Sequence, residues 1–192
     1  VCNRIKKDNQ PDSYLCNTMA EDMAIITGTK EEQYQQLIPL IKGVLEGETD
    51  LIANLGNVAA ILKEQFKWWW IGFYLVKENE LVLGPFQGPL ACTRIQKGKG
   101  VCGNSWEKAI TLIVPDVDKF PGHIACSSLS KSEIVVPVIR NSEVVAVLDA
   151  DSEIYDHYDA TDQKYLEEIV AMIPYSFNKA VTVSSNSFLK SS

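Results

Sequence analysis

The chain has 192 residues, 46% of them hydrophobic and 22% charged, with a formal net charge of −7. That length buries a core without disulfide or metal staples, and the composition is that of a globular protein. The acidic balance argues against nucleic acid and membrane surfaces, which reward clusters of lysine and arginine, and no apolar run approaches the roughly 20 residues that cross a bilayer.

The five cysteines are Cys2, Cys16, Cys92, Cys102 and Cys126. An odd number cannot all sit in intrachain disulfides. Such usage is expected of a cytoplasmic protein that is redox-active or carries inert buried thiols. The first residues are polar and contain no secretory apolar stretch.

Residues 1–29 read as an irregular arm. A helix is expected from Glu31 to Leu45, with Thr29 as its N-cap, Gly47 as its stop and a kink at Pro39. A second is expected from Asp50 to Phe66, with Thr49 as a possible cap. Trp68 to Val76 and Leu81 to Phe86 are apolar and β-branched runs flanking Glu78-Asn79-Glu80, which reads as a hairpin. Strict alternation sends Trp68 and Trp70 to one face and Trp69 to the other. A short strand at Cys92–Ile95, a glycine-rich turn at Gly98–Gly103, a short helix through Lys108 and a strand at Thr111–Val114 follow. Beyond a loop from Pro115 to Lys131, Glu133–Ile139 and Val144–Leu148 form the clearest hairpin. The last helix is expected from Ala160 to Phe177, capped by Asp159 or Thr161, and residues 181–192 form a polar tail. Helices at both ends of a mostly antiparallel sheet make the fold class α+β, a single domain over residues 30–180 with a pocket on one sheet face.

Gly98-Lys99-Gly100-Val101-Cys102-Gly103 matches G-x-G-x-x-G, but no βαβ unit surrounds it, so a tight turn before a helix is the better account. Cys92, Cys102, His123 and Cys126 are possible zinc ligands, yet they lack the C-x₂₋₄-C pairs of structural zinc sites, and no metal is expected. Seryl hydrolysis is weaker still. The chain has no G-x-S-x-G, and His157 sits in a polar turn where solvation is expected.

Thiol chemistry fits better. Cys102 lies between glycines at a helix N-terminus, where amide N–H groups favour a thiolate, and Cys126 lies in an irregular loop near His123. Glu133, Asp149 and Asp151 form a second constellation. Asp149 and Asp151 share a strand face. With a two-residue turn at Asn141-Ser142, Glu133 would pair with Ala150 and point away. With a three-residue turn all three acids would converge, and they would repel one another unless a cation such as a ligand ammonium sat among them.

Several motifs together resemble the free methionine-(R)-sulfoxide reductase family. They are Trp70-Ile71-Gly72-Phe73-Tyr74, Leu83-Gly84-Pro85-Phe86-Gln87-Gly88, Ala91-Cys92, Gly98 to Gly103, Pro121 to Cys126, Ser132 to Pro137 and Leu148 to Ser152. The resemblance runs in order from about Glu31 to Ile173. It implies a GAF-type domain, often a homodimer, that reduces free methionine sulfoxide. Cys126 matches the family's nucleophile, Cys92 its main resolving cysteine and Cys102 a third thiol. Glu133, Asp149 and Asp151 match acids that hold the substrate, and Trp70 and Tyr74 match aromatic pocket residues. The implied chemistry uses no bound cofactor, with thioredoxin as external reductant. Asn104-Ser105-Trp106 departs from the small residues usual in the family, and Cys2 and Cys16 fall outside its pattern. The rival expectation is a non-catalytic GAF module that binds a small ligand, which would sit beside an output domain and have no need of three placed thiols.

Overall fold

The computed structural model describes residues 2–4, 14–16, 24–122 and 129–174. Within the arm expected to be irregular, β1 (Cys2–Arg4) and β2 (Tyr14–Cys16) pair antiparallel. The domain proper begins at α1 (Lys30–Leu45), which opens with a capping box. Thr29 Oγ1 accepts from the Glu32 N–H, and the Glu32 carboxylate accepts from the Thr29 N–H at 2.8 Å. In α2 (Leu51–Phe66) the cap is Asp50 rather than Thr49, its carboxylate accepting from the Ala53 N–H at 2.9 Å.

Six strands form one antiparallel sheet: β3 (Trp70–Lys77), β4 (Glu80–Gln87), β5 (Arg94–Gln96), β6 (Leu112–Val114), β7 (Ser132–Arg140) and β8 (Glu143–Ser152). Their spatial order is β5-β4-β3-β8-β7-β6. Two further α-helices among the described residues are α3 (Gly100–Lys108) and α4 (Ala160–Met172). Helix α4 starts at Asp159, whose carboxylate accepts from the Thr161 and Asp162 N–H groups. It stops short of the predicted Phe177, which lies outside the described residues. Pro174 accounts for the stop, because the residue before a proline is driven out of the helical region, and Ile173 is extended with φ −64 and ψ 121.

Side-chain alternation divides the sheet into two faces. Ile71, Phe73 and Leu75 of β3, Ile134, Val136 and Val138 of β7, and Ala146, Leu148 and Ala150 of β8 are buried against α1, α2 and α4. The residues between them, Trp70 and Tyr74, Val135, and Val147, face the other way and form a second cluster with Val101, Cys102 and Trp106 of α3. One face therefore carries the main core. The other is covered by α3, and the second cluster lies between them.

Helices α1 and α4 are tied together by a buried carboxylate. Asp162, fully buried, accepts from Tyr34 Oη at 2.9 Å and from Lys30 Nζ at 2.5 Å. Both partners satisfy a charge that would otherwise be stranded in the core.

Candidate active site

The hairpin of β7 and β8 brings the acids together by a route that turn length alone does not explain. Asn141 and Ser142 form a two-residue turn, both with positive φ (50 and 65), between paired Arg140 and Glu143. That turn by itself would set Glu133 opposite Ala150. Instead Ile139 pairs with Val144 and Val138 with Ala146, so β8 carries one extra residue at Val145 and the register slips by one. Glu133 then lies opposite Asp151, and Val135 opposite Asp149. The convergence thus comes from a two-residue turn plus a bulge, not from a three-residue turn.

On the other side of β8, β3 pairs Trp70 with Asp151 and Gly72 with Asp149. Trp70, Asp151 and Glu133 form a row across three strands. Gly72 is needed for that row, since a Cβ there would sit 2.5 Å from Cη2 of Trp70 and also meet the Phe86 side chain. Without it the Trp70 ring lies across the sheet, stacked on Phe86 with centroids 5.5 Å apart and on Tyr74 at 6.0 Å.

A cavity on this face is lined by Glu133, Asp149 and Asp151, by Cys102 with Gly100 and Val101 from α3, and by Trp69, Trp70 and Tyr74. Pro89, Leu90 and Ala91 complete one rim. The aromatic residues do more than wall it. Trp70 Nε1 donates to the Pro89 carbonyl at 3.1 Å, and Tyr74 Oη donates to the Cys92 carbonyl at 2.9 Å, so both pin the segment that carries Cys92. Cys92 itself is disulfide-bonded, to a partner that is not among the described side chains. Cys126 and His123 lie outside the described residues.

Electrostatics set the protonation of the acids. Glu133 and Asp149 are each 6% exposed. Burial pushes the carboxyl of Glu133 well above its usual range, and the charges of Asp149 and Asp151 push it further. Asp149 is raised well above its usual range by burial and by Asp151. Asp151 is raised to about 6 by burial, partly offset by the Ser130 hydroxyl, which donates to it at 2.5 Å. One oxygen of Asp149, Oδ1, is buried without a hydrogen-bond partner. Crowded acids in this setting share protons with one another.

The expectation for Cys102 is corrected. It lies in the first turn of α3, 3% exposed, with Sγ 3.9 Å from Glu133 Oε1. Burial and then the charges of Asp149 and Glu133 push its thiol well above the ordinary range. A helix N-terminus contributes about 1 kcal/mol to an anion, which does not offset full desolvation beside two carboxyl groups. Burial and the nearby charges both favour the neutral thiol of Cys102 over the thiolate. In the reduced protein, iodoacetamide should label it at least about tenfold more slowly than a solvent-exposed cysteine. Mass spectrometry of timed samples reads this directly, and labelling as fast as that of the urea-unfolded chain would refute the assignment.

The donor atoms of Cys102, Glu133 and Asp149 all lie within 4.8 Å of one another. Among the described residues they are the compact set able to hold a cation; two members of the Cys/His quartet considered from sequence, His123 and Cys126, lie outside the described residues. His157 is not solvated as its turn suggests. It is half-buried, with Nδ1 2.5 Å from Ser152 Oγ, and burial lowers its pKa.

Trp69 is the cavity residue that sequence reasoning placed wrongly. Alternation fails there because β3 begins only at Trp70. Trp68 and Trp69 sit in the link after α2, where Lys67 adopts a left-handed conformation and the Lys63 ammonium donates to both tryptophan carbonyls. Trp68 enters the main core, while Trp69 and Trp70 both turn to the cavity side.

No family model matches the chain. Among individual proteins, "GAF domain-containing protein A" of Dictyostelium discoideum is 61% identical over 156 residues, covering 81% of this chain and 99% of that one. Free methionine-R-sulfoxide reductase of Saccharomyces cerevisiae is 42% identical over 153 residues, covering 75% and 85%. Among solved structures, free methionine-R-sulfoxide reductase from Neisseria meningitidis in complex with its substrate is 52% identical, with a TM-score of 0.78 over 80% of this chain and 93% of that one.

Proposed function

This chain belongs to the free methionine-(R)-sulfoxide reductase family of GAF-fold proteins, and from that premise we propose that it reduces the R sulfoxide of free methionine with its own cysteines. The observation that carries this reading is the buried acidic cluster, Glu133, Asp149 and Asp151, in a cavity walled by Trp70 and Tyr74. A free amino acid brings an ammonium that such acids can pair with, and a residue inside a peptide does not. The aromatic rings suit the apolar methyl and methylene groups beside the substrate's sulfur.

The acids have a second use. Burial raises all three, and the charges of neighbouring acids raise Glu133 and Asp149 further, so the cluster keeps a proton where an ordinary carboxyl would have lost it. That proton can go to the sulfoxide oxygen as it departs. In the reaction, the Cys126 thiolate takes up the sulfoxide oxygen, the S–O bond of the substrate breaks, methionine leaves, and Cys126 becomes a sulfenic acid. The Cys92 thiol then condenses with it, forming a disulfide and releasing water. A dithiol reductant of the thioredoxin type returns both thiols by exchange. The anchoring of the Cys92 segment by Tyr74 and Trp70 supports Cys92 as the resolving residue. The depth and protonated state of Cys102 make it a poor competitor. No step calls on a metal or bound cofactor. A homodimer and a cytoplasmic location belong to the same reading. Among the described residues no helix is long and apolar enough to cross a membrane.

Incubation with racemic free methionine sulfoxide, thioredoxin, thioredoxin reductase and NADPH should consume the R isomer alone. Cys126→Ser should abolish turnover, and a single turnover should link Cys126 to Cys92 on a mass-spectrometric disulfide map. Absence of stereoselective turnover in the wild type would return the cavity to a ligand-binding role.

A further inference from the structure

The indole N–H of Trp69 is buried and has no hydrogen-bond partner, although its residue lines the cavity. A buried donor left unsatisfied costs about 1–3 kcal/mol, and in a native fold such a group calls for a partner that binds there. We propose that Trp69 Nε1–H is the donor for the α-carboxylate of the substrate, and so a specificity-determining residue for free amino acids with an ionised carboxyl group. This rests on the reading of the cavity as a site for free methionine sulfoxide.

Charge and the donors already committed both point to Trp69. The substrate is a zwitterion, and its carboxylate is repelled from the wall that carries Glu133, Asp149 and Asp151. It needs donors elsewhere in the cavity. Trp70 Nε1 is engaged by Pro89, Tyr74 Oη by Cys92 and Ser130 Oγ by Asp151. Lys99 lines the cavity but is exposed to solvent, where an ion pair with a ligand is screened. Among the described residues that line the cavity, Trp69 carries the indole left with a proton to give. Its placement is held by the Lys63 ammonium on its own carbonyl, at 2.9 Å. Gly100 and Val101, on the same lining at the start of α3, belong to a helix end that tolerates negative charge.

The test compares free L-methionine-(R)-sulfoxide with its carboxamide, which keeps the ammonium and the sulfoxide but has no anionic group. Wild type should prefer the acid. Trp69→Phe keeps the ring and removes the donor. It should raise KM for the acid about tenfold, leave KM for the amide unchanged, and so cut the acid-to-amide preference about tenfold. An equal rise for both substrates would mean that the ring only packs, and no change in either would mean that the N–H has no role. Loss of the preference in Lys99→Met and not in Trp69→Phe would assign the carboxylate to the lysine. Each of these overturns the proposal. Should Trp69→Phe not fold, the 15N-labelled indole resonance of Trp69 in the wild type replaces it. That resonance should move on titration with L-methionine and stay put with L-methioninamide, and an identical response to both would refute the role. Failure of the wild type to turn over methionine sulfoxide is a separate result that refutes the underlying activity and not this residue's part in it.

Discussion

Replacing Asp151 by asparagine is expected to make the folded protein more stable at neutral pH while weakening its hold on substrate. The sign follows from the direction of the shift. Asp151 is raised from its ordinary 3.8 to about 6 in the folded state, so between those values the folded protein binds a proton that the unfolded chain has released. Stability from this group is fully present below about 4 and is lost as pH rises through about 6. At neutral pH the ionised group therefore opposes folding, by at most about 3 kcal/mol for a shift of about 2 pH units. Asparagine removes the charge and keeps an acceptor for the Ser130 hydroxyl. Urea unfolding of both proteins should show a gain at neutral pH that shrinks below pH 6 and disappears near pH 4. A gain independent of pH, or a loss at neutral pH, would show that burial does not strain the ionised Asp151. Over the same comparison KM for the sulfoxide should rise about tenfold or more, because a charged hydrogen bond to the ammonium becomes a neutral one. Such a trade is expected where a binding site keeps a charge buried for its ligand to pair with.

Gly103→Ala is expected to have the second large effect. Gly103 follows Cys102 in α3, and a Cβ there would collide with the backbone carbonyl oxygen of Gln96 and lie 3.2 Å from the Gly98 amide nitrogen. The obstacle is main chain on both sides and cannot swing away like a side-chain tip. That main chain is further held by hydrogen bonds from Gly98 N–H to Gly103 O at 2.9 Å and from Gly103 N–H to Lys99 O at 3.0 Å. The helix must then lift from the turn after β5, carrying Cys102 and Val101 away from the cavity. Overpacking of this kind costs about 1–3 kcal/mol, and more where backbone must move. The variant should show a lower urea midpoint together with faster alkylation of Cys102. A midpoint within error of the wild type would show that the turn gives way more easily than its contacts imply.

The glycine-rich run is thus a packing device, as its missing βαβ context indicates, and other features of the site are equally readable from residue order. The period-2 alternation in Ile71–Leu75, Ile134–Val138 and Ala146–Ala150 separates core from site face. The same parity leaves Asp149 and Asp151 pointing together. Thr29 with Glu32, and Asp159 with Asp162, mark the starts of α1 and α4 by their own side-chain chemistry. These are local properties, set by torsion angles and by hydrogen bonds that span a few residues, and a linear reading captures them.

What needed the folded chain depends on neighbours distant in sequence. Whether Glu133 joins the aspartates rests on one extra residue at Val145, and a bulge is chosen by how the sheet twists and packs, which no run of valines encodes. Trp69 turns to the cavity because β3 starts two residues later than its aromatic run suggests, with Lys63 of α2 holding the link. Cys102 looks activated beside its helix start, yet burial, and then the carboxyl groups of β7 and β8, push its thiol well above the ordinary range. Charge interactions across a buried cavity fall off with distance in space and not along the chain. The residue types of the site could therefore be named from their order, while their protonation and the donor left over for a carboxylate emerge only once the sheet is assembled.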